Sequence, residues 1–370
     1  MKRPVLHCLV LLIVSNPLLA GLEPGEQINL TIRGVDPAEQ QKISGIYRVG
    51  ESGGVRLPIR DCGGRGIPVA SLHDEIPAPF DFNRCRHGGI TPRRPTMKLL
   101  LIGHGYLGQA ITREFREHGW EVTTTSLSGN DGTLACDIGN PDDVAKLPPA
   151  DFIVHCAASG RGGAEAYQHV YVDGCRNLVE KFPGTPLLFT SSTSVYAQTD
   201  GSVVTEESPA IPDRETGGLL LEAERVTLAA GGVVARLAGI YGPGRSVILK
   251  KFLSGEAVIE EDGRRFLNQI HRDDAARAIY HLAASRATGV FNVSDSTPLT
   301  QLGCYERLGG IFSRPLPPSG PRDLNRKRGW THKQVSNAKL RATGWQPRFP
   351  SFIDAAESVA ATITSAPQNS

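Results

Sequence analysis

One short segment constrains this chain more than any other. Leu99-Leu100-Leu101-Ile102 is apolar at every side chain, as a strand covered on both faces of a parallel sheet must be. It runs straight into Gly103-His104-Gly105-Tyr106-Leu107-Gly108. From Gln109 to His118 the apolar residues Ala110, Ile111 and Phe115 recur at helical spacing, and Gly119 follows the end. A G-x-G-x-x-G alone is weak evidence. Between a buried strand and a helix it is specific, because each glycine has its own task. The first makes the tight turn, the second lets backbone touch a pyrophosphate, and the third lets the helix close on the strand. The helix N-terminus then offers unpaired N–H groups and the positive end of its dipole to phosphate. A bound dinucleotide is expected, held by Gly103, Gly105, Tyr106, Leu107 and Gly108.

The next strand is Glu121-Val122-Thr123-Thr124-Thr125-Ser126, rich in β-branched residues. An NAD site places an Asp or Glu at about this distance to bind the ribose hydroxyls. This chain has Ser126-Leu127-Ser128-Gly129, with neither a carboxylate to repel a 2′-phosphate nor an arginine to clamp one. Ser126 becomes the ribose-side candidate and NADP the favoured cofactor, with NAD left open. Further apolar runs at 152–156, 187–190, 233–237 and 289–295 alternate with helical stretches such as 168–181 and 218–228. The fold class expected is α/β: a Rossmann-like, doubly wound parallel sheet with its ligand at the carboxyl ends of the strands.

The first 96 residues have another texture. Lys2 and Arg3, an apolar stretch from Val5 to Leu19 and then Ala20-Gly21 form the pattern of a secretory signal peptide over residues 1–21. The stretch is too short and too interrupted for a stable membrane span. Residues 22–76 read as β-rich, with alternation at 27–32 and two short strands around a glycine turn at 44–50 and 53–59. Pro77, Pro79, Pro92 and Pro95 punctuate an aperiodic linker over residues 77–96. Met97, one of two methionines, opens the dinucleotide segment, 97–370. Forty Lys+Arg against 38 Asp+Glu give no basic excess for a nucleic-acid partner. Seven scattered cysteines do not read as a disulfide framework. Residues 97–370 thus suit a reduced cytoplasmic protein, whereas a genuine leader would direct the chain to the periplasm or envelope.

Two resemblances follow. Gly103-x-Gly105-x-x-Gly108, Asp137-Ile138, His155-Cys156-Ala157-Ala158, Ser191-Ser192-Thr193-Ser194-Val195-Tyr196, Arg236 to Arg245 and Ile270-His271-Arg272-Asp273-Asp274 resemble, in order and spacing, the extended short-chain dehydrogenase/reductases of the NAD-dependent epimerase/dehydratase superfamily. The resemblance implies that Asp137 and Ile138 bind adenine, that Ala157 and Ala158 line the cofactor, and that Ala238 and Ile240 sit near the nicotinamide. It implies a small carboxyl-terminal substrate module, a small hydroxylated or nucleotide-sugar-like substrate and, in many relatives, a homodimer. It makes Ser192 the catalytic serine that polarises the reacting oxygen. The family's tyrosine and lysine, however, are replaced by Thr216 and Leu220. A threonine hydroxyl is far too weak an acid to replace an activated phenol, and leucine supplies no charge. Thr216, Tyr196, Tyr241 and His271 stay open as substitutes, a proton path supplied by the substrate itself is a further alternative, and cofactor binding without turnover is the rival reading. Residues 22–75 more loosely resemble the start of the periplasmic domain of bacterial polysaccharide-export proteins, which would imply an envelope role.

Other readings are structural. His271-Arg272-Asp273-Asp274 reads as a helix start capped by Asp273 or Asp274. Cys136, Cys156, Cys175 and Cys304 read as small buried hydrophobes, while Cys62 and Cys85 would pair only if exported. No metal site is expected. The basic stretch 322–333 reads either as solvated charge or as a clamp for an anionic substrate. Its neighbour Val335-Ser336-Asn337-Ala338-Lys339-Leu340, with Gly344-Trp345-Gln346-Pro347, resembles the superfamily's carboxyl-terminal ending.

Overall fold

The computed structural model describes residues 96–160, 162–322 and 330–364, together with three strands nearer the amino terminus. The chain divides into two units, Met1–Pro92 and Arg93–Ser370. In the first, β1 (Leu11–Val14), β2 (Gln27–Arg33) and β3 (Gly45–Arg48) form an antiparallel sheet in that order. β1 lies within the apolar stretch expected to be a leader. The rest of that leader, the strand at 53–59, the linker as far as residue 95, and Cys62 and Cys85 lie outside the described residues.

The second unit is built on β4 (Lys98–Ile102), β5 (Glu121–Ser126), β6 (Leu134–Ala135), β7 (Phe152–His155), β8 (Leu187–Ser192), β10 (Val233–Leu237) and β15 (Gly289–Val293). A two-residue β9 (Val203–Val204) lies outside that sheet. The order is β15-β10-β8-β7-β4-β5-β6, with every pairing parallel. This is the expected Rossmann-like doubly wound sheet. Alternate side chains of β4 leave for opposite faces. Leu99 and Leu101 pack with α1 (Tyr106–Glu117) in one cluster, and Leu100 and Ile102 with Val144, Leu178 and Phe182 in another. Helices on both faces explain why β4 is apolar throughout. The chain leaves β4 towards β5 and later returns to β7 on the other side. The carboxyl ends of β4 and β7 therefore mark the position of the crevice in which such sheets bind their ligands.

Between β6 and β8 lie α2 (Pro141–Ala145) and a long helical stretch. That stretch is α3 (Ala164–Tyr167), a π-helical turn (Gln168–Asp173) and α4 (Gly174–Lys181), longer at its start than the expected 168–181. α5 (Glu215–Ala229) precedes β10. Beyond β10, the short β11 (Gly239–Tyr241), β12 (Ile259–Glu260), β13 (Phe266–Leu267) and β14 (Gln269–His271) carry a smaller module with α6 (Val247–Ser254). Its core joins Leu249 and Phe252 to Leu308, Phe352 and Val359. Among the described residues, no helix is long and apolar enough to cross a membrane.

α7 (Arg272–Ala284) starts where the sequence put it, but neither aspartate caps it. His271 is the cap residue: its Nδ1 accepts the Asp273 N–H at 3.2 Å. The aspartates have stronger partners. Asp273 accepts from Arg113 at 2.9 Å and Arg272 at 3.0 Å. Asp274, fully buried, accepts the Arg348 and Phe349 N–H groups at 2.8 and 2.9 Å. It thereby fastens the carboxyl-terminal loop to α7. Asp274→Ala removes the acceptor of two part-buried amides and is expected to cost about 2–4 kcal/mol in urea unfolding. A change below 1 kcal/mol would show that the loop docks without it.

Candidate functional site

The turn after β4 is tied first. Gly103 and His104 both donate their N–H groups to Thr125 O, at 3.2 and 2.9 Å. Gly103 sits at φ +99°, and a Cβ there would lie 2.5 Å from the Ala157 backbone. A Cβ on Gly108 would lie 2.1 Å from Gly103 O. These two glycines are dictated by packing, strand against strand and helix against turn. Gly105 is different. Its φ of −82° is ordinary, and a Cβ there would meet no protein atom within 4 Å. Gly105 also caps α1 without any side-chain hydrogen bond. An open approach to a 12-residue helix N-terminus is the cradle a pyrophosphate requires, so the residues present fit a dinucleotide.

The remaining cofactor candidates fall around this crevice in different ways. Ala157 packs against Gly103, and Ala158 beside it is exposed. Cys156 donates its thiol to Gly103 O at 3.1 Å, and burial pushes that thiol up to about 12, so it is inert at neutral pH. Cys136, Cys175 and Cys304 are likewise buried, as the sequence suggested. Asp137 accepts from Gly139 N at 3.1 Å and is met by His169 Nε2 at 2.8 Å. The Ile138 side chain lies in the core, while its carbonyl accepts from Asn177 at 3.0 Å. Ser126 is engaged within its own turn, bonded to Thr133 Oγ1 at 2.7 Å and accepting the Gly129 N–H at 3.0 Å. Tyr106 turns away from the glycines. Its hydroxyl donates to Pro243 O at 3.1 Å, and the guanidiniums of Arg245 and Arg272 lie over its ring, 5.0 and 4.9 Å from the centroid.

At the other end, β8 delivers Ser192 half-buried at its carboxyl end. Ser192 Oγ caps a short 3₁₀ turn, Thr193–Val195, by accepting the Ser194 N–H at 3.2 Å. Ala238 is buried, while Gly239 and Ile240 are partly open in β11, paired with β14. Tyr196 is placed elsewhere. It is fully buried, its hydroxyl donates to Asn292 Oδ1 at 3.0 Å and accepts from Arg236 at 2.8 Å. Burial raises its pKa, so it is a core phenol rather than an accessible acid. Thr216 is half-buried in the first turn of α5, and Leu220 packs among Val172, Phe189, Tyr196 and Val335. Tyr241 is also enclosed, against His271 and Phe352, and burial raises its pKa strongly.

Sequence reasoning missed three residues here. The π-helical turn carries Tyr171, whose hydroxyl accepts the Ser159 N–H at 3.2 Å, and His169, which covers Gly139. An extra residue in a helix leaves no periodic signal. The third is Lys333: in a stretch read as solvated charge or an anion clamp, it is 3% exposed.

Residues 99–294 match the NAD dependent epimerase/dehydratase family. Protein YeeZ of Escherichia coli K12 is 30% identical over 222 residues, with 53% of this chain and 77% of that protein covered. A Methylobacillus flagellatus structure, assigned only provisionally as an NAD-dependent epimerase/dehydratase, shares 28% identity at a TM-score of 0.60, covering 72% of this chain and 99% of its own. The fold alone is shared with human epimerase family protein SDR39U1, solved with NADPH (22%, TM-score 0.62, 72% and 99% covered). The same holds for a UDP-glucose 4-epimerase of Thermotoga maritima, solved with UDP-glucose (19%, TM-score 0.61, 72% and 99%). The family match begins at Leu99, and the export-like pattern of residues 22–75 remains an expectation from the sequence.

Proposed function

Because the chain belongs to the NAD-dependent epimerase/dehydratase family, we propose that it is an NADP-dependent, epimerase-like oxidoreductase acting on a small hydroxylated or nucleotide-sugar-like substrate. The observation that carries this reading is the open face of Gly105 at the start of α1, which serves no packing need of the chain itself. The α1 N-terminus would hold the pyrophosphate, Asp137 and the Ile138 backbone the adenine end, and Ala157, Ala158, Ala238 and Ile240 the nicotinamide end. When bound, the nicotinamide supplies hydride exchange. Ser192 would donate its hydroxyl to the reacting substrate oxygen. The preference for NADP rests on the absence of a carboxylate at Ser126-Leu127-Ser128-Gly129. NADPH is expected to give saturable fluorescence quenching with the full chain. Gly105→Val should weaken it by at least about tenfold, or 1.4 kcal/mol, with little change in melting temperature. Equal binding by the variant would sink the assignment of this cradle.

Binding without turnover is the second reading, favoured by Thr216 and by Leu220, whose side chain is built into the core. No turnover across a panel of carbonyl and sugar-nucleotide substrates, with NADPH still bound, would support it. Turnover abolished by Ser192→Ala would end it.

A further inference from the structure

Leu220 leaves the helix face of this site without a cation, yet a buried ammonium is bonded to Tyr196, a member of the same core cluster as Leu220. Lys333 Nζ donates to Tyr196 O at 2.5 Å. Tyr196 closes the 3₁₀ turn that Ser192 opens, its N–H bonded to Thr193 O at 3.3 Å. The Lys333 backbone is pinned as well: its carbonyl accepts from Asn268 Nδ2 at 2.9 Å, and Asn268 Oδ1 accepts the Val335 N–H at 2.7 Å. The carbonyl of the same Asn268 accepts the Gly239 N–H at 3.1 Å, beside Ile240. Val335, two residues on, packs in one cluster with Leu220 and Tyr196. Lys333 thus bonds directly to the serine turn and reaches the loop after β10 through Asn268, while Val335 carries the same segment onto the inner face of α5.

We propose that Lys333 is the cation of this site, a positioning residue that holds the Ser192–Tyr196 turn through the Tyr196 carbonyl and supplies from the carboxyl-terminal segment the positive charge that Leu220 omits. The proposal rests on the reading of the crevice as a nicotinamide dinucleotide site. A buried ammonium is costly unless its charge is used, and an ammonium has two further N–H donors beyond the one given to Tyr196. Burial pushes the Lys333 pKa down to about 8, Asp213 opposes that shift and Arg265 adds to it. Other ionisable groups on neighbouring elements are engaged elsewhere. His332 Nδ1 accepts the Phe266 N–H, Glu206 accepts the Asn292 N–H, and Asp200 accepts from Ser202. Lys333 is therefore the charged side chain bonded to the backbone of this turn.

The test compares NADP+, whose nicotinamide ring is cationic, with NADPH, whose ring is neutral. Dissociation constants of both are measured for the full-length wild type, K333M and K333R from pH 6.5 to 9.5. In the wild type the ratio Kd(NADP+)/Kd(NADPH) should fall about three- to tenfold as pH rises through 8, because the ammonium that repels the oxidised ring loses its proton. K333M should be flat at the wild type's high-pH ratio, and K333R flat at its low-pH ratio. A wild-type ratio independent of pH overturns the proposal, as does a pH dependence that survives in K333M, while the dinucleotide site itself stands. No saturable binding of either cofactor by the wild type would instead overturn the proposed function.

Discussion

Arg236→Leu is expected to lower the unfolding free energy by about 3–5 kcal/mol. Glu224 and Arg236 have side chains only 3% and 7% exposed. Arg236 donates from Nε and its terminal nitrogen to the Glu224 carboxylate at 3.0 and 2.6 Å, and from its other nitrogen to the Tyr196 hydroxyl at 2.8 Å. Ser191 Oγ donates to the same carboxylate at 2.5 Å. Deleting the guanidinium leaves a buried carboxylate with one hydroxyl donor and a phenol with no cation, so most of the cost is that of an orphaned charge. The double variant Glu224→Leu/Arg236→Leu removes both charges and should recover most of the loss. Urea unfolding of the two singles and the double measures the coupling. A single-variant change under 1 kcal/mol would show that solvent reaches the pair.

Gly103→Ala is expected to cost about 2–6 kcal/mol, combining backbone strain with overpacking at a rigid contact. The methyl would have to occupy a position 2.5 Å from Ala157 N and Cα, and φ +99° is itself unfavourable for a residue with a Cβ. No flexible side-chain end is there to move aside. Relief requires β4 and β7 to shift apart at the crevice, so stability and cofactor affinity should fall together. Gly105→Ala provides the contrast, with an ordinary φ and open space around its added carbon. It should unfold at the wild-type urea midpoint. If Gly103→Ala also unfolds there, the close approach of the two turns is not maintained in solution.

Much of this was readable in the residues because the determinants are local. Leu99–Ile102 needed cover on both faces, which only helices above and below a parallel sheet supply, and strand–helix alternation pointed to a doubly wound sheet without giving its strand order. The glycine spacing announced the cradle, but not that Gly103 and Gly108 serve packing while Gly105 faces open space. For Gly103 that role depends on Ala157, some fifty residues away in sequence. His271 in place of Asp273 as helix cap was not readable either, since the choice turns on Arg113, Arg348 and Phe349 competing for the aspartates. Lys333 looked like one basic residue among many. Its burial comes from three segments converging on it, and no window of sequence contains them.

The bond from Lys333 to Tyr196 also has a consequence for biosynthesis. Its two ends are 137 residues apart, and β15, which completes the sheet, lies between them at 289–293. A ribosome adding about 5–20 residues per second needs on the order of ten seconds to span that interval. The strands up to β8 can pair as they emerge, but the serine turn stays unfastened until Lys333 itself has been made. The emerging protein can therefore form the Gly103–Gly108 turn well before Lys333 can fasten the Ser192–Tyr196 turn.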